Sequence, residues 1–305
     1  MQDSVNSVDQ VVSDSRRCMA EKNMSRGSKK EIQLVRNWLT HEDPISIATH
    51  MQVDADAAFS TALLHVLRPH ARVKFVRADS CIKAENCIAV DLSKGPRAVK
   101  GLHPGSAFGL VVNVMRDIDR PVHDALRDWA AQLNLTDSGK YCRDKVSLAE
   151  LTSCWKAIGL RDKGIVEKAE ELIRGKIASH RKHLEHKAVA EKVPIVKGVA
   201  VVKANVRVKA ADLFRRGAIA VVRESEIGMG VNLSKQAQNK GIRLTQSKKL
   251  LPESWFIHPA GFLACYGSVK APKNPADSGL KLAELVKIIQ KWLAAHEKIG
   301  ELKVK

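Results

Sequence analysis

Residues 45–64 read ISIATHMQVDADAAFSTALL, and this stretch decides the fold. Ile45 to Thr49 is a short, largely apolar run of the kind that forms a strand buried on both faces. His50 stands at its carboxyl end, which in an open parallel sheet is the edge where ligands gather. Three residues turn the chain, and Asp54 or Asp56 then opens a helix through Leu67 that carries Ala57, Ala58, Ala62, Leu63 and Val66. Asp54 and Asp56 alternate at the start of that helix, where two carboxylates can face one ion pair. An imidazole with carboxylates suits Mn²⁺ or a similar cation, and a two-metal site activates water and neutralises phosphate oxygens. Asp54 as a plain N-cap and His50 as a satisfied core residue would explain each residue singly. The HxxxDxDA spacing directly behind a strand favours the metal reading.

Working outward, Ser28 is placed to cap a first helix over 29–39. Arg72 to Val76 and Cys87 to Leu92 read as strands, with a small-residue helix from Gly105 to Met115 and an amphipathic one from Pro121 to Leu133. Strands separated by helices imply an α/β domain on a mainly parallel sheet. Leu160 to Lys187 reads as one long charged helix, a connector, in which His180, His183 and His186 fall on one face among Lys and Arg. Beyond it Val199 to Val208 is β-rich, Ala210 to Arg216 a short helix and Ala218 to Val222 a strand. Gly228–Leu233, Ile242–Thr245 and Trp255–Ile257 are further strand-like pieces, and a helix runs from Gly279 to Ala295. The expected division is a disordered tail over 1–27, an N-terminal domain over 28–159, a helical connector over 160–192 and a smaller C-terminal α/β domain over 193–305.

The 305 residues leave room for two cores. A formal charge of +18 points to polyanionic partners, while an aromatic content of only 4% argues against a binder built mainly on stacking bases. No window has the apolar length needed to span a bilayer, and residues 1–30 lack the apolar core of a secretory signal. Six cysteines without CxxC spacing fit a reducing cytoplasm better than a disulfide framework or zinc ribbon.

The segment His50 to Ala57 resembles motif I of the DHH phosphoesterase superfamily, which includes RecJ-like and Myg-type exonucleases, small-oligonucleotide nucleases and family II pyrophosphatases. Ser60 matches the small residue on the following helix. The resemblance implies a two-domain α/β hydrolase with Mn²⁺ or Mg²⁺ in its cleft, His50, Asp54 and Asp56 as ligands, and Asp91, after Cys87-Ile88-Ala89-Val90, as the bridging ligand of motif II. The third motif, Asp-His-His in the family, corresponds to Gly101-Leu102-His103, so only His103 is retained, as the implied catalytic residue. Gly105-Ser106-Ala107 resembles the family's small-residue helix start, with Ser106 toward phosphate. Leu135-Thr136-Asp137-Ser138-Gly139 is similar to the fourth motif, with Asp137 as a further ligand; Asp-Ser-Gly is also a common turn. In the C-terminal domain Trp255 to Phe262 is similar to the His-x-x-Gly-Phe segment of Myg-type proteins, preceded by Leu251-Pro252-Glu253, which implies phosphate or nucleotide contacts from His258 and Gly261. A core turn would account for the same residues.

Three functions follow as expectations. One is a metal-dependent phosphodiesterase acting on nucleic acid, RNA or single-stranded DNA, with exonucleolytic cleavage as one mode. The second is a decayed DHH-fold protein that binds nucleic acid without cleaving it, motivated by Gly101-Leu102, with Arg174, Lys176, Arg181, Lys182, Lys203, Arg207, Lys209, Arg215 and Arg216 tracking phosphates. The third, ranked lower because the charge surplus exceeds its need, is a phosphatase of small substrates such as cyclic dinucleotides or polyphosphate.

Overall fold

The computed structural model describes residues 29–40, 45–101, 105–140 and 147–302. The expected N-terminal tail, the Ser28 cap and His103 lie outside the described residues. By contacts the chain divides into two units, 1–181 and 182–305.

In the first unit the elements run α1 (Lys29–Thr40), β1 (Ser46–His50), α2 (Ala55–Leu67), β2 (Arg72–Val76), β3 (Cys87–Val90), β4 (Ala98–Val99), α3 (Ala107–Ile118), α4 (Arg120–Asp137) and α5 (Leu148–Ala157). The sheet order is β2-β1-β3-β4, and every pairing is parallel. Parallel register aligns the carboxyl ends: His50 lies opposite Val76, Ala48 opposite Ala89, and Val90 opposite Val99. β1 and β3 are apolar and buried, as strands covered on both faces must be.

α2 has no polar stripe: every residue from Ala55 to Leu64 is buried, so it is a core helix rather than a surface amphipath. α3 is similar, buried from Ala107 through Val112. Where these helices meet α4 and α5, Phe59 is fully buried with its ring edge-on to Phe108 and Trp129 and stacked on Trp155 at 6.3 Å. Asp119 closes α3 and caps α4 by accepting from the Val122 N–H. The helices expected over 105–115 and 121–133 thus start at Ala107 and Arg120 instead, and Asp137 is the last residue of α4 rather than part of a free turn.

The long helix α6 (Asp162–Lys192) leads into β5 (Ile195–Val196), β6 (Val199–Val202), α7 (Ala210–Arg215), β7 (Ala220–Ser225), β8 (Gly228–Leu233), α8 (Lys235–Asn239), β9 (Phe256–Ile257), β10 (Leu263–Tyr266) and α9 (Leu282–Leu302). The second sheet is ordered β5-β6-β7-β8-β10-β9; β6 and β7 are parallel and the other pairs antiparallel. Two expectations change here. β6 stops at Val202 because the Val206 N–H donates to Lys203 O, turning the chain. Ile242 to Thr245 is not a strand: the Ile242 N–H closes α8 onto Ala237 O, and a 3₁₀ helix runs from Leu244 to Leu250. The buried Ile242 and Leu244 mimic the period of a strand while serving a turn. Among the described residues no helix is long and apolar enough to cross a membrane.

Phe59 joins α2 to α3, α4 and α5, so Phe59→Ala is expected to cost about 3–5 kcal/mol of stability, read as a lower midpoint in urea unfolding of the chain.

Candidate metal centre

Each ligand candidate is delivered by a strand or helix end. β1 ends in His50, whose Nδ1 donates to Met51 O at 2.9 Å and whose Nε2 lies 3.1 Å from Asp91 Oδ2. Asp91 follows β3 in the left-handed region at φ 53°, a conformation rare for a side chain with a Cβ. Its N–H is held by Val99 O at 2.9 Å, so the strand pairing enforces the strain and turns the carboxylate toward His50. Asp54 is the N-cap of α2, accepting from the Ala57 N–H at 3.0 Å. One ligand atom from each of His50, Asp54 and Asp91 falls within 4.8 Å of the others. The two explanations of Asp54 therefore coexist: one carboxylate caps the helix and faces the cluster. Asp137 lines the same cavity of about 410 Å³, with Lys100 and Ser93.

Asp56 is placed differently. Its carboxylate is buried and committed to backbone: Oδ2 accepts from Ala107 N–H at 2.7 Å, while Oδ1 accepts from Phe108 N–H at 2.8 Å and from the Ser60 hydroxyl at 3.2 Å. It is not part of the His50–Asp54–Asp91 group. Ser106 is fully buried; its hydroxyl donates to Asn134 Oδ1 at 2.7 Å and accepts from Gly109 N–H at 2.9 Å. Gly101 has φ +100°, and a Cβ there would stand 2.2 Å from the Ser106 backbone. The glycine at this position is thus a steric requirement of this backbone.

The electrostatics fit a cation. His50 is pushed up to about 9, first by its hydrogen bond to Asp91 and against the effect of its burial. Asp56 is pushed up to about 8 by burial and then by the Asp91 charge, with the Phe108 and Ala107 amides opposing. Asp137 is raised by burial and by the charges of Asp91 and Asp54. Like charges held this close favour a neutralising ion. One imidazole nitrogen with carboxylate oxygens is a donor set for Mn²⁺ and accommodates Mg²⁺.

Sequence reasoning missed the residues that hold the loops. Asp162, at the start of α6, accepts from the backbone N–H of Gln52 at 2.9 Å and of Val53 at 3.0 Å, fixing the turn between His50 and Asp54 while Gln52 sits at φ 58°. Glu31 on α1 likewise accepts from the Gly101 N–H at 3.3 Å and from the backbone of Lys100. No local pattern marks either, since each acts across a long sequence separation.

In the second unit, the His258 Nδ1 accepts from Ala260 N–H at 3.1 Å, and its ring packs 4.3 Å from that of Phe262. Gly261 is at φ +73° with its N–H on His258 O, and Arg243 occupies the place of a Cβ. Nearby, Lys249, Pro252, Trp255, Phe256 and Ile257 line a cavity of about 840 Å³. Several of the expected phosphate-tracking cations are engaged within the chain. Arg181 pairs with Asp119, Arg215 with Asp212, and Arg216 donates to the carbonyls of Ala190, in α6, and Val193, just past it. Lys203, Arg207 and Lys209 are exposed.

No protein-family model matches this chain. No curated protein matches it either. Among solved structures, similarity extends to PggH, a pGpG-specific phosphodiesterase from Vibrio cholerae, at 11% identity over 82% of this chain and 99% of that one, with a TM-score of 0.31. RecJ from Thermus thermophilus in complex with Mn²⁺ is similar at 13% identity over 88% of this chain and 55% of that one, with a TM-score of 0.29. An exopolyphosphatase-related protein from Bacteroides fragilis is similar at 13% identity over 92% of this chain and 99% of that one, with a TM-score of 0.26. At these identities and scores the likeness decides neither family nor activity.

Two outcomes are expected of direct metal titration. Because a cation must displace the His50 proton, Mn²⁺ affinity rises with pH and levels off only near 9; a flat profile between about pH 6 and 8.5 in calorimetry would remove His50 from the ligand set. Asp162→Ala lowers Mn²⁺ affinity by about tenfold, the usual effect of removing a group that orients ligands.

Proposed function

We propose that this chain is a divalent-metal phosphodiesterase of the DHH type that acts on nucleic acid, RNA or single-stranded DNA. The observation that carries the reading is the convergence of His50, Asp54 and Asp91 at the carboxyl edge of a parallel sheet, with Asp137 lining the same cavity. His50, Asp54 and Asp91 would hold Mn²⁺ or Mg²⁺, with Asp137 beside them. Such an ion would supply Lewis acidity toward a phosphoryl oxygen and would lower the pKa of a bound water. The chain's own residues prepare the place. The Met51 carbonyl fixes the His50 ring so that Nε2 faces the cluster, and Asp162 locks the turn that sets the distance from His50 to Asp54. The surplus of +18 supports a polyanionic substrate, and within the second unit the exposed Phe256 lines one cavity with Lys249, an aromatic face and a positive charge of the kind nucleic acid takes.

A second reading, a binder on a decayed hydrolase fold, is favoured by one specific observation: Asp56, a ligand in the resemblance, commits its carboxylate to the amides of Ala107 and Phe108. Cleavage separates the two. With Mn²⁺, end-labelled RNA or single-stranded DNA is expected to shorten, and Asp91→Asn to slow this by a hundredfold or more, as for loss of a group that stabilises the transition state (roughly 10²–10³). Substrate bound in a salt-dependent manner but left intact would establish the binder; turnover of small phosphoesters alone would replace nucleic acid as substrate.

A further inference from the structure

The cavity that contains the acidic cluster is also lined by a cation that neither the motif resemblance nor the metal reading uses. Lys100 directly follows β4, and β4 pairs with β3, whose next residue is Asp91. The sheet order puts the ends of β1, β3 and β4 side by side, so His50, Asp91 and Lys100 succeed one another along one edge. The backbone there is not loose. Val99 O accepts the Asp91 N–H at 2.9 Å, Glu31 takes the Gly101 N–H at 3.3 Å and bonds the Lys100 backbone, and Gly101 lies so close to the Ser106 backbone that no Cβ fits between them. Lys100 itself is exposed, and Glu31 is near enough for their charges to interact. The strand end, the clamp and the steric lock thus hold the base of a flexible ammonium-bearing side chain at the rim of a cavity of about 410 Å³ whose other walls carry His50, Asp54, Asp91 and Asp137.

A lysine at this place has a specific use. The carboxylates of Asp54, Asp91 and Asp137 around the cavity offset the charge of a dication held there and repel the oxygens of an incoming phosphate. An ammonium on a flexible stem binds phosphate as a point charge. We propose that Lys100 is the phosphate anchor of this site, binding a non-bridging oxygen of the phosphoryl group while His50, Asp54 and Asp91 hold the ion. The inference deepens the phosphodiesterase reading and rests on it. It assigns recognition of the reacting phosphate to the first unit itself.

The test uses the full chain, Mn²⁺ and inorganic phosphate. Mn²⁺ affinity is measured by calorimetry, and phosphate binding by the broadening of its ³¹P resonance by the bound paramagnetic ion. Lys100→Met is expected to retain Mn²⁺ and the wild-type melting temperature while weakening phosphate by about tenfold, the size expected for loss of one charge-assisted contact. Lys100→Arg is expected to keep most of the affinity, since it retains the charge. Phosphate binding that is equal in wild type and Lys100→Met, with Mn²⁺ bound in both, overturns the anchor and leaves the metal site standing. Failure of the wild-type chain to bind Mn²⁺ overturns both.

Discussion

The buried carboxylate of Asp56 is the interaction on which the first unit depends. It sits at the start of α2, a helix without a polar face, and accepts the first free N–H groups of α3, whose first six residues are all buried. Amides at a helix start cannot be satisfied within the helix, and burying them without partners is costly. A carboxylate is the acceptor that best suits that positive end. The same bond fixes the two core helices relative to each other and puts a third acidic group next to Asp54 and Asp91. Burial and those charges oppose its ionisation, while the amides support it. The site and the core are therefore coupled electrostatically as well as sterically.

Around that joint, the sheet edge is assembled by two remote carboxylates. Asp162 holds the amides after β1, and Glu31 those after β4. Both act on loops whose backbone departs from the ordinary regions, with Gln52 and Gly101 at positive φ. A loop in such a conformation returns to a relaxed one unless its surroundings over-determine it. These clamps supply that constraint, so the His50–Asp54 spacing and the base of Lys100 are preset by contacts outside the site.

Composition and location of charge carry different information. The surplus of +18 describes the whole chain, yet Arg181, Arg215 and Arg216 commit their guanidinium groups to Asp119, Asp212 and the carbonyls of Ala190 and Val193. Arginine suits such duties because its planar donors can reach several acceptors at once. The exposed Lys203, Arg207 and Lys209 contribute to the positive long-range field of the chain.

Much of the architecture was legible in the sequence. The apolar run before His50 marked β1, the alanine-rich run after Asp54 marked α2, and alternating strands and helices marked the parallel sheet, since each is a local pattern of burial. His50, Asp54 and Asp91 were readable as a group because strand ends bring such residues to one edge. Ile242 and Leu244 misled because a buried turn has the same short-range alternation as a strand. Asp162, Glu31, Asn134 and Lys100 left no local signal: their partners are distant in sequence, and only packing brings them together. The sequence by itself thus determined that His50, Asp54 and Asp91 stand at the carboxyl edge of a parallel sheet. Tertiary structure alone decided their surroundings, giving the Asp56 carboxylate to the amides of a helix start and setting Lys100 at the rim of the acidic cavity, because each depends on groups that only folding brings together.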